Sequence, residues 1–194
     1  MIRIHLGQAT DIGWHRGVKD PEEITADQYL QMCANKTGCL SRLAAKLAAI
    51  FAGASDEIVE KVGSVAEAIG VAFQIQDDIL DITLKGEARE KFGKAFGNDI
   101  KEGKRTLMVI KTLELASEAD RRRLLEILNK HTDDVNEKLE AIRIIEKYGA
   151  IDYAKRKARE IIERAWKEAE PLLKEGDAKE KLRAFVRFLI EREY

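Results

Sequence analysis

Two prolines in 194 residues, and almost no alternation of apolar with polar side chains, leave a chain of this kind little to build except helices. Glycines supply the punctuation. Thr25 with Gln28 three residues later has capping-box spacing, and Tyr29, Met32, Cys33, Leu40, Leu43, Leu47 and Ile50 then recur at helical intervals until Gly53, which predicts a helix over 26–52. Ser55, Asp56 and Glu57 open a second, running through Val62, Val65, Ile69, Phe73 and Leu80. Further helices are predicted over 106–116, 119–130, 133–148, 151–174 and 177–192. The pattern at 1–14, with Ile4 and Ile12, is helical but lacks an N-cap, as though the chain entered midway along a longer helix.

The stretch 83–106 differs. It holds Gly86, Gly93, Gly97 and Gly103 among Lys85, Lys91, Lys94, Lys101 and Lys104, and it reads as a long basic loop.

A chain of this length, 45% hydrophobic, suits one helical domain spanning 1–194. Charged residues reach 36%, the ordinary solvated face of bundle helices, in a proportion that leans toward the surface ion-pair networks of a thermophile protein. The net charge of −1 gives no case for nucleic acid as a partner, so any anion site must be local. Cys33 and Cys39 lie on one predicted helix and form neither a disulfide framework nor a CxxC pair. They read as reduced core residues of a cytoplasmic protein. No leader and no transmembrane run is present, which predicts a soluble chain.

Chemistry concentrates at Asp77, Asp78 and Asp81, the sequence DDILD, set in an otherwise apolar helix after Val71, Ala72, Phe73 and Ile75. At about 100° per residue Asp77 and Asp81 share a face with Asp78 beside them, and three such carboxylates call for a cation. Oxygen ligands of this type suit Mg²⁺. A bare DDxxD is equally compatible with a solvated acidic turn; the apolar run before it and the glycine-lysine loop after it argue for a metal site. In that loop Gly93-Lys94 and Gly103-Lys104 flank Gly97-Asn98-Asp99, a pattern that can serve phosphate oxygens or simply connect two helices. Lys36-Thr37 and the pair Gln8 and Asp11 are bland taken singly.

Together GQATD, YLQMCANKT, FQIQDDILD and GKAFGNDIKEGKRT, in this order, resemble the trans-isoprenyl diphosphate synthases, or polyprenyl synthetase family, from Gly7 through Thr106. The resemblance implies an all-α, isoprenoid-synthase-type antiparallel helix bundle. It implies condensation of isopentenyl diphosphate with an allylic prenyl diphosphate, with Mg²⁺ on the diphosphate. By the same carry-over Asp77, Asp78 and Asp81 are the metal ligands and Lys36 and Lys94 contact the diphosphate. Thr37 and Gln74 sit near the reacting carbon and the pyrophosphate, Lys104 adds charge over the cavity mouth, and Gln8 and Asp11 support the wall. The chemistry needs no Ser or Cys nucleophile and no His base, so His5, His15 and His131 read as incidental.

The family's first aspartate-rich motif and its isopentenyl diphosphate site lie upstream of GQxxD, where this chain has nothing, so the bundle is expected to be N-terminally truncated. Two expectations follow. The chain either acts within a homo-oligomer or larger synthase, or is a non-catalytic diphosphate-binding subunit of a heteromeric one. The apolar faces that absent helices would cover are expected to drive self-association or repacking of the first helix.

Overall fold

Helix α4, Asp56–Thr83, is 28 residues long, about 42 Å at 1.5 Å per residue, and the other elements are arranged around it. The computed structural model describes residues 1–84 and 96–191, apart from the side chains of 190 and 191, and no strand occurs among them. Before α4 come α1 (Ile2–His15), a 3₁₀ turn at Pro21–Glu23, α2 (Ala26–Cys33) and α3 (Cys39–Phe51). After it come α5 (Asn98–Lys101), α6 (Leu107–Leu115), α7 (Glu118–Lys130), α8 (Val135–Lys147), α9 (Ala150–Ala169), a 3₁₀ turn at Glu170–Leu172, and α10 (Asp177–Glu191).

The starts follow the expected chemistry. Thr25 and Gln28 exchange both capping-box hydrogen bonds. Ser55 caps α4, Thr106 caps α6, Ser117 caps α7 and Asp134 caps α8, each by accepting a backbone N–H two or three residues on. α9 stops at Ala169, short of the predicted 174, because Pro171 has no N–H to continue the ladder.

Two expectations about elements need correction. The helix over 26–52 is not uniform, for a π-helical turn at Ala34–Gly38 joins α2 to α3 through residues that keep right-handed helical dihedrals. This wide turn lies where two other helices come closest. A Cβ on Gly7 of α1 would sit 2.5 Å from the Lys36 backbone nitrogen, and one on Gly70 of α4 would sit 2.8 Å from the Gly38 Cα. Within 83–106, the part from 98 to 101 is the short helix α5 rather than loop.

α4 packs between α3 and α9. The main core joins Trp14, Tyr29, Met32 and Cys33 to Ile75 and Ile79 of α4 and to Leu107, Leu124, Leu128 and Ile145 of α6, α7 and α8. A second, smaller cluster seats Val186 of α10 against Val65, Ala72, Ile162 and Ala169. Cys33 belongs to the core, whereas Cys39 is half-buried and lies outside it, because it falls on the outer side of the wide turn; both thiols are free. On α3 no residue is buried, and Leu40, Leu43, Leu47, Ile50 and Phe51 remain exposed together with Ile2 and Leu6 of α1. α1 packs on α2 and the wide turn and leaves that face uncovered.

Candidate active site

The close passage of α1 and α4 over the wide turn fixes where Lys36 and Thr37 point. Lys36 Nζ donates to Asp11 Oδ2 at 2.6 Å, so the lysine from the turn and the buried aspartate from α1 are one ion pair. π-helical turns recur at functional sites because they re-aim side chains within an otherwise regular helix. Thr37 Oγ1 donates to Gln74 Oε1 at 3.1 Å, Gln74 Nε2 donates to Asp78 Oδ1 at 3.0 Å, and the Tyr29 hydroxyl donates to Asp78 Oδ2 at 2.6 Å. This chain of bonds runs from the wide turn to α4 and back to α2, and fixes both oxygens of Asp78.

One turn further along α4, Asp81 is fully buried and its Oδ2 accepts the backbone N–H of Asp99 at 3.0 Å, which draws α5 onto the carboxylates. Lys104 Nζ then donates to Asp99 Oδ1 at 2.5 Å and lies 3.0 Å from Glu102. Arg105, also buried, donates to the Gly103 carbonyl at 2.5 Å and to Asn129 at 2.8 Å, tying this segment to α7. Asp11, Tyr29, Lys36, Gln74, Asp78, Lys104 and Arg105 line one recess.

Burial pushes the Asp78 carboxyl up to about 8, with the like charge of Asp99 adding to the shift, against hydrogen bonds from Tyr29 and Gln74 and the charge of Lys104. Burial, then the Asp78 charge, raises the Tyr29 phenol well above its usual range and keeps it a donor. Burial pulls the Lys104 ammonium down, but Asp99 and Glu102 outweigh it and hold the group well above its ordinary value.

A carboxylate held this far from its usual value, in a recess that also carries lysines, fits a hard cation brought in with an anion. The donors at 77, 78 and 81 are all carboxylate oxygens, the type Mg²⁺ takes. Among the described residues no group of three His, Cys, Asp or Glu side chains is placed to hold a metal ion.

Of the residues singled out in the sequence, Asp11, Lys36, Gln74, Asp78 and Lys104 line the recess, Thr37 is bonded to Gln74, and Asp81 is joined to Lys104 through Asp99. Asp77 is half-buried on the same helix, and Gln8 lines a neighbouring trough with Lys36 and Thr37. Lys94 lies outside the described residues. Sequence reasoning missed Tyr29 as the partner of Asp78, Asp99 as the link from Asp81 to Lys104, and the buried Arg105. Tyr29 follows the apolar spacing of a core residue, so no local signal could have found its hydroxyl.

A bundle of helices around one long central helix, whose carboxylates meet lysines from a wide turn and from the following loop, has the architecture of an isoprenoid synthase. Residues 1–145 match the family described as Polyprenyl synthetase, and the chain belongs to that family. It is 41% identical to a short chain isoprenyl diphosphate synthase of Methanothermobacter thermautotrophicus over all of this chain and 56% of the relative. It is 35% identical to a geranylgeranyl diphosphate synthase of Methanosarcina mazei over 89% of this chain and 50% of the relative. The crystal structure of a geranylgeranyl pyrophosphate synthetase from Pyrococcus horikoshii superposes with a TM-score of 0.84 at 34% identity, covering 98% of this chain and 55% of that one. The chain thus spans about half the length of the relatives it matches.

Proposed function

We propose that this chain carries the diphosphate-binding wall of a prenyl transferase that condenses isopentenyl diphosphate with an allylic prenyl diphosphate. The observation that carries the reading is the bonded line Thr37–Gln74–Asp78, of which Gln74 and Asp78 line the recess together with Lys36. The carbon–oxygen bond of the allylic substrate breaks, leaving an allylic cation and pyrophosphate. The isopentenyl double bond attacks the cation, and a proton is lost to the released pyrophosphate. Lys36 and Lys104, with Lys94 from outside the described residues, hold the departing charge, and Gln74 and Thr37 keep the reacting carbon beside it. Asp77, Asp78 and Asp81 would hold Mg²⁺, which when bound neutralises the leaving group. Among the described residues no helix is long and apolar enough to cross a membrane.

The test is incubation of the purified chain with Mg²⁺, isopentenyl diphosphate and a panel of allylic diphosphates, read by mass spectrometry beside Asp77→Ala. Product that disappears in the variant supports the reading. Absence of both product and magnesium-dependent diphosphate binding sinks it. A second reading, a non-catalytic diphosphate-binding subunit of a heteromeric synthase, is favoured by the uncovered apolar face of α3. It predicts magnesium-dependent diphosphate binding without product until a longer helical partner is added. A homo-oligomer of this chain predicts product without one.

A further inference from the structure

Tyr29 belongs to two parts of the molecule at once. Its ring lies in the main core with Trp14, Met32, Cys33, Ile75 and Ile79, and only 1% of the residue is exposed. Its hydroxyl leaves that core and donates to Asp78 Oδ2 at 2.6 Å, joining α2 to α4 across 49 residues of sequence. A ring held in a close-packed interior has little freedom, so the place of the hydroxyl is set by the core rather than by the recess. The other bonds of the wall run toward the same carboxylate. Thr37 Oγ1 donates to Gln74 Oε1, and Gln74 Nε2 donates to Asp78 Oδ1. Asp78 thus accepts at both oxygens, and by taking the Gln74 amide nitrogen it leaves the amide oxygen turned to Thr37. Without the Tyr29 hydroxyl, Oδ2 is a buried acceptor short of a donor, in a recess that Lys104 also lines. A carboxylate that turned toward that cation would let go of Gln74, and Gln74 of Thr37.

We propose that Tyr29 is a positioning residue for magnesium-dependent diphosphate binding: its hydroxyl, fixed by the core, locks Asp78 and through it Gln74 and Thr37 in the arrangement that receives the ligand. Enclosed as it is, Tyr29 acts through Asp78 rather than by contact with the ligand. It removes a reorganisation that binding would otherwise have to supply. The proposal rests on the diphosphate reading above.

The experiment is isothermal titration of the chain with inorganic pyrophosphate at a series of Mg²⁺ concentrations. Wild type is compared with Tyr29→Phe, which removes one oxygen and keeps the ring, and with Ile162→Val, which loosens the second core cluster. Tyr29→Phe should raise the Mg²⁺ concentration at half-saturation about tenfold, the order of one hydrogen bond to a charged group. Ile162→Val should leave it within about twofold while lowering the melting temperature, which separates a lost position from lost stability. An equal shift in the two variants, or none in Tyr29→Phe, overturns the proposal and leaves the diphosphate reading standing. Wild type that takes up no pyrophosphate at any Mg²⁺ concentration fails the diphosphate reading, and the proposal with it. Should Tyr29→Phe not fold, amide exchange on wild type decides. Mg²⁺ with pyrophosphate should slow exchange in α2 as well as in α4, because the bond joins them, and slowing in α4 alone overturns the proposal.

Discussion

α6, α7 and α8 bury Leu107, Met108, Ile110, Leu124, Ile127, Leu128 and Ile145 almost completely, whereas α3, as long as α7, buries no residue at all. The contrast extends to charge. Among the described residues the closed side buries Thr112 and Lys138 beside its apolar side chains but no carboxylate, while the wall made by α1, the wide turn, α4 and α5 encloses Asp11, Asp78, Asp81 and Asp99 and keeps large apolar side chains such as Ile2, Leu6 and Phe73 in the open. Stability on the closed side comes from removing apolar area from water. On the wall it is given up, since buried like charges and uncovered apolar residues both cost free energy unless a ligand or a partner meets them. One half of the molecule is built to persist and the other to receive.

The largest effect that sharpens this contrast is on leucine. Leu128→Ala, on the closed side, should cost about 3 kcal/mol in urea denaturation, and Leu43→Ala, on α3, no more than about 0.5 kcal/mol. If the two cost the same, and the α3 loss grows with protein concentration, the α3 face is covered in solution and the contrast disappears.

Two glycines on α1 offer a contrast within one helix. Gly7→Ala forces a Cβ to within 2.5 Å of the Lys36 backbone and should cost about 2–3 kcal/mol while disturbing the Lys36–Asp11 pair. Gly13→Ala meets nothing nearer than Val18 at 3.8 Å and should stabilise by up to about 1 kcal/mol through helix propensity. Thermal melting of both variants decides. A harmless Gly7→Ala would mean that α1 does not press on the wide turn in solution.

What the sequence made legible follows from the range of each interaction. The caps at Thr25 and Ser55 are signals between residues three apart, and their hydrogen bonds form as expected. The order of GQATD, the Lys36 segment and DDILD placed the polar wall, because those residues keep their neighbours along the chain. The Tyr29–Asp78 bond spans 49 residues, and Tyr29 carries the apolar spacing of a core residue, so its hydroxyl gave no local sign. The π-helical turn was hidden for a related reason. One added residue barely disturbs a hydrophobic period, and the cause lies in glycines of two other helices that approach it.

A smaller effect, opposite in sign, separates the wall from the core. Asp78→Asn should stabilise the metal-free chain by about 1 kcal/mol, because a carboxylate crowded by Asp99 in a buried recess is replaced by a neutral amide of the same shape. The same change should reduce magnesium-dependent diphosphate binding. Melting in the presence of a chelator reads the first effect and titration the second. Were Asp78→Asn to destabilise the chelated protein, the carboxylate would be a structural acceptor for Tyr29 and Gln74, and the wall would be built like the rest of the core.

The least effect belongs to the seam where α1 meets the segment before α6. His15 ends α1 with its Nδ1 3.9 Å from Asp11, facing Glu102, Lys104 and Arg105. Burial lowers its affinity for a proton; Asp11 and Glu102 oppose that, and Lys104 and Arg105 add to it. A histidine whose folded value lies below its unfolded one favours the fold while neutral. Its contribution is therefore present above about pH 6.5 and is lost as pH falls through the lowered folded value. Wild-type melting temperature should drop more between pH 7.5 and pH 5.5 than that of His15→Gln, which has no proton to take up in that window. The protonated ring would also compete with Lys36 for Asp11, so acid should loosen the wall before the closed side, visible as earlier amide exchange in α1 than in α7. Equal pH slopes in the two proteins would place His15 outside the seam's electrostatics and leave the Lys36–Asp11 pair held by geometry alone.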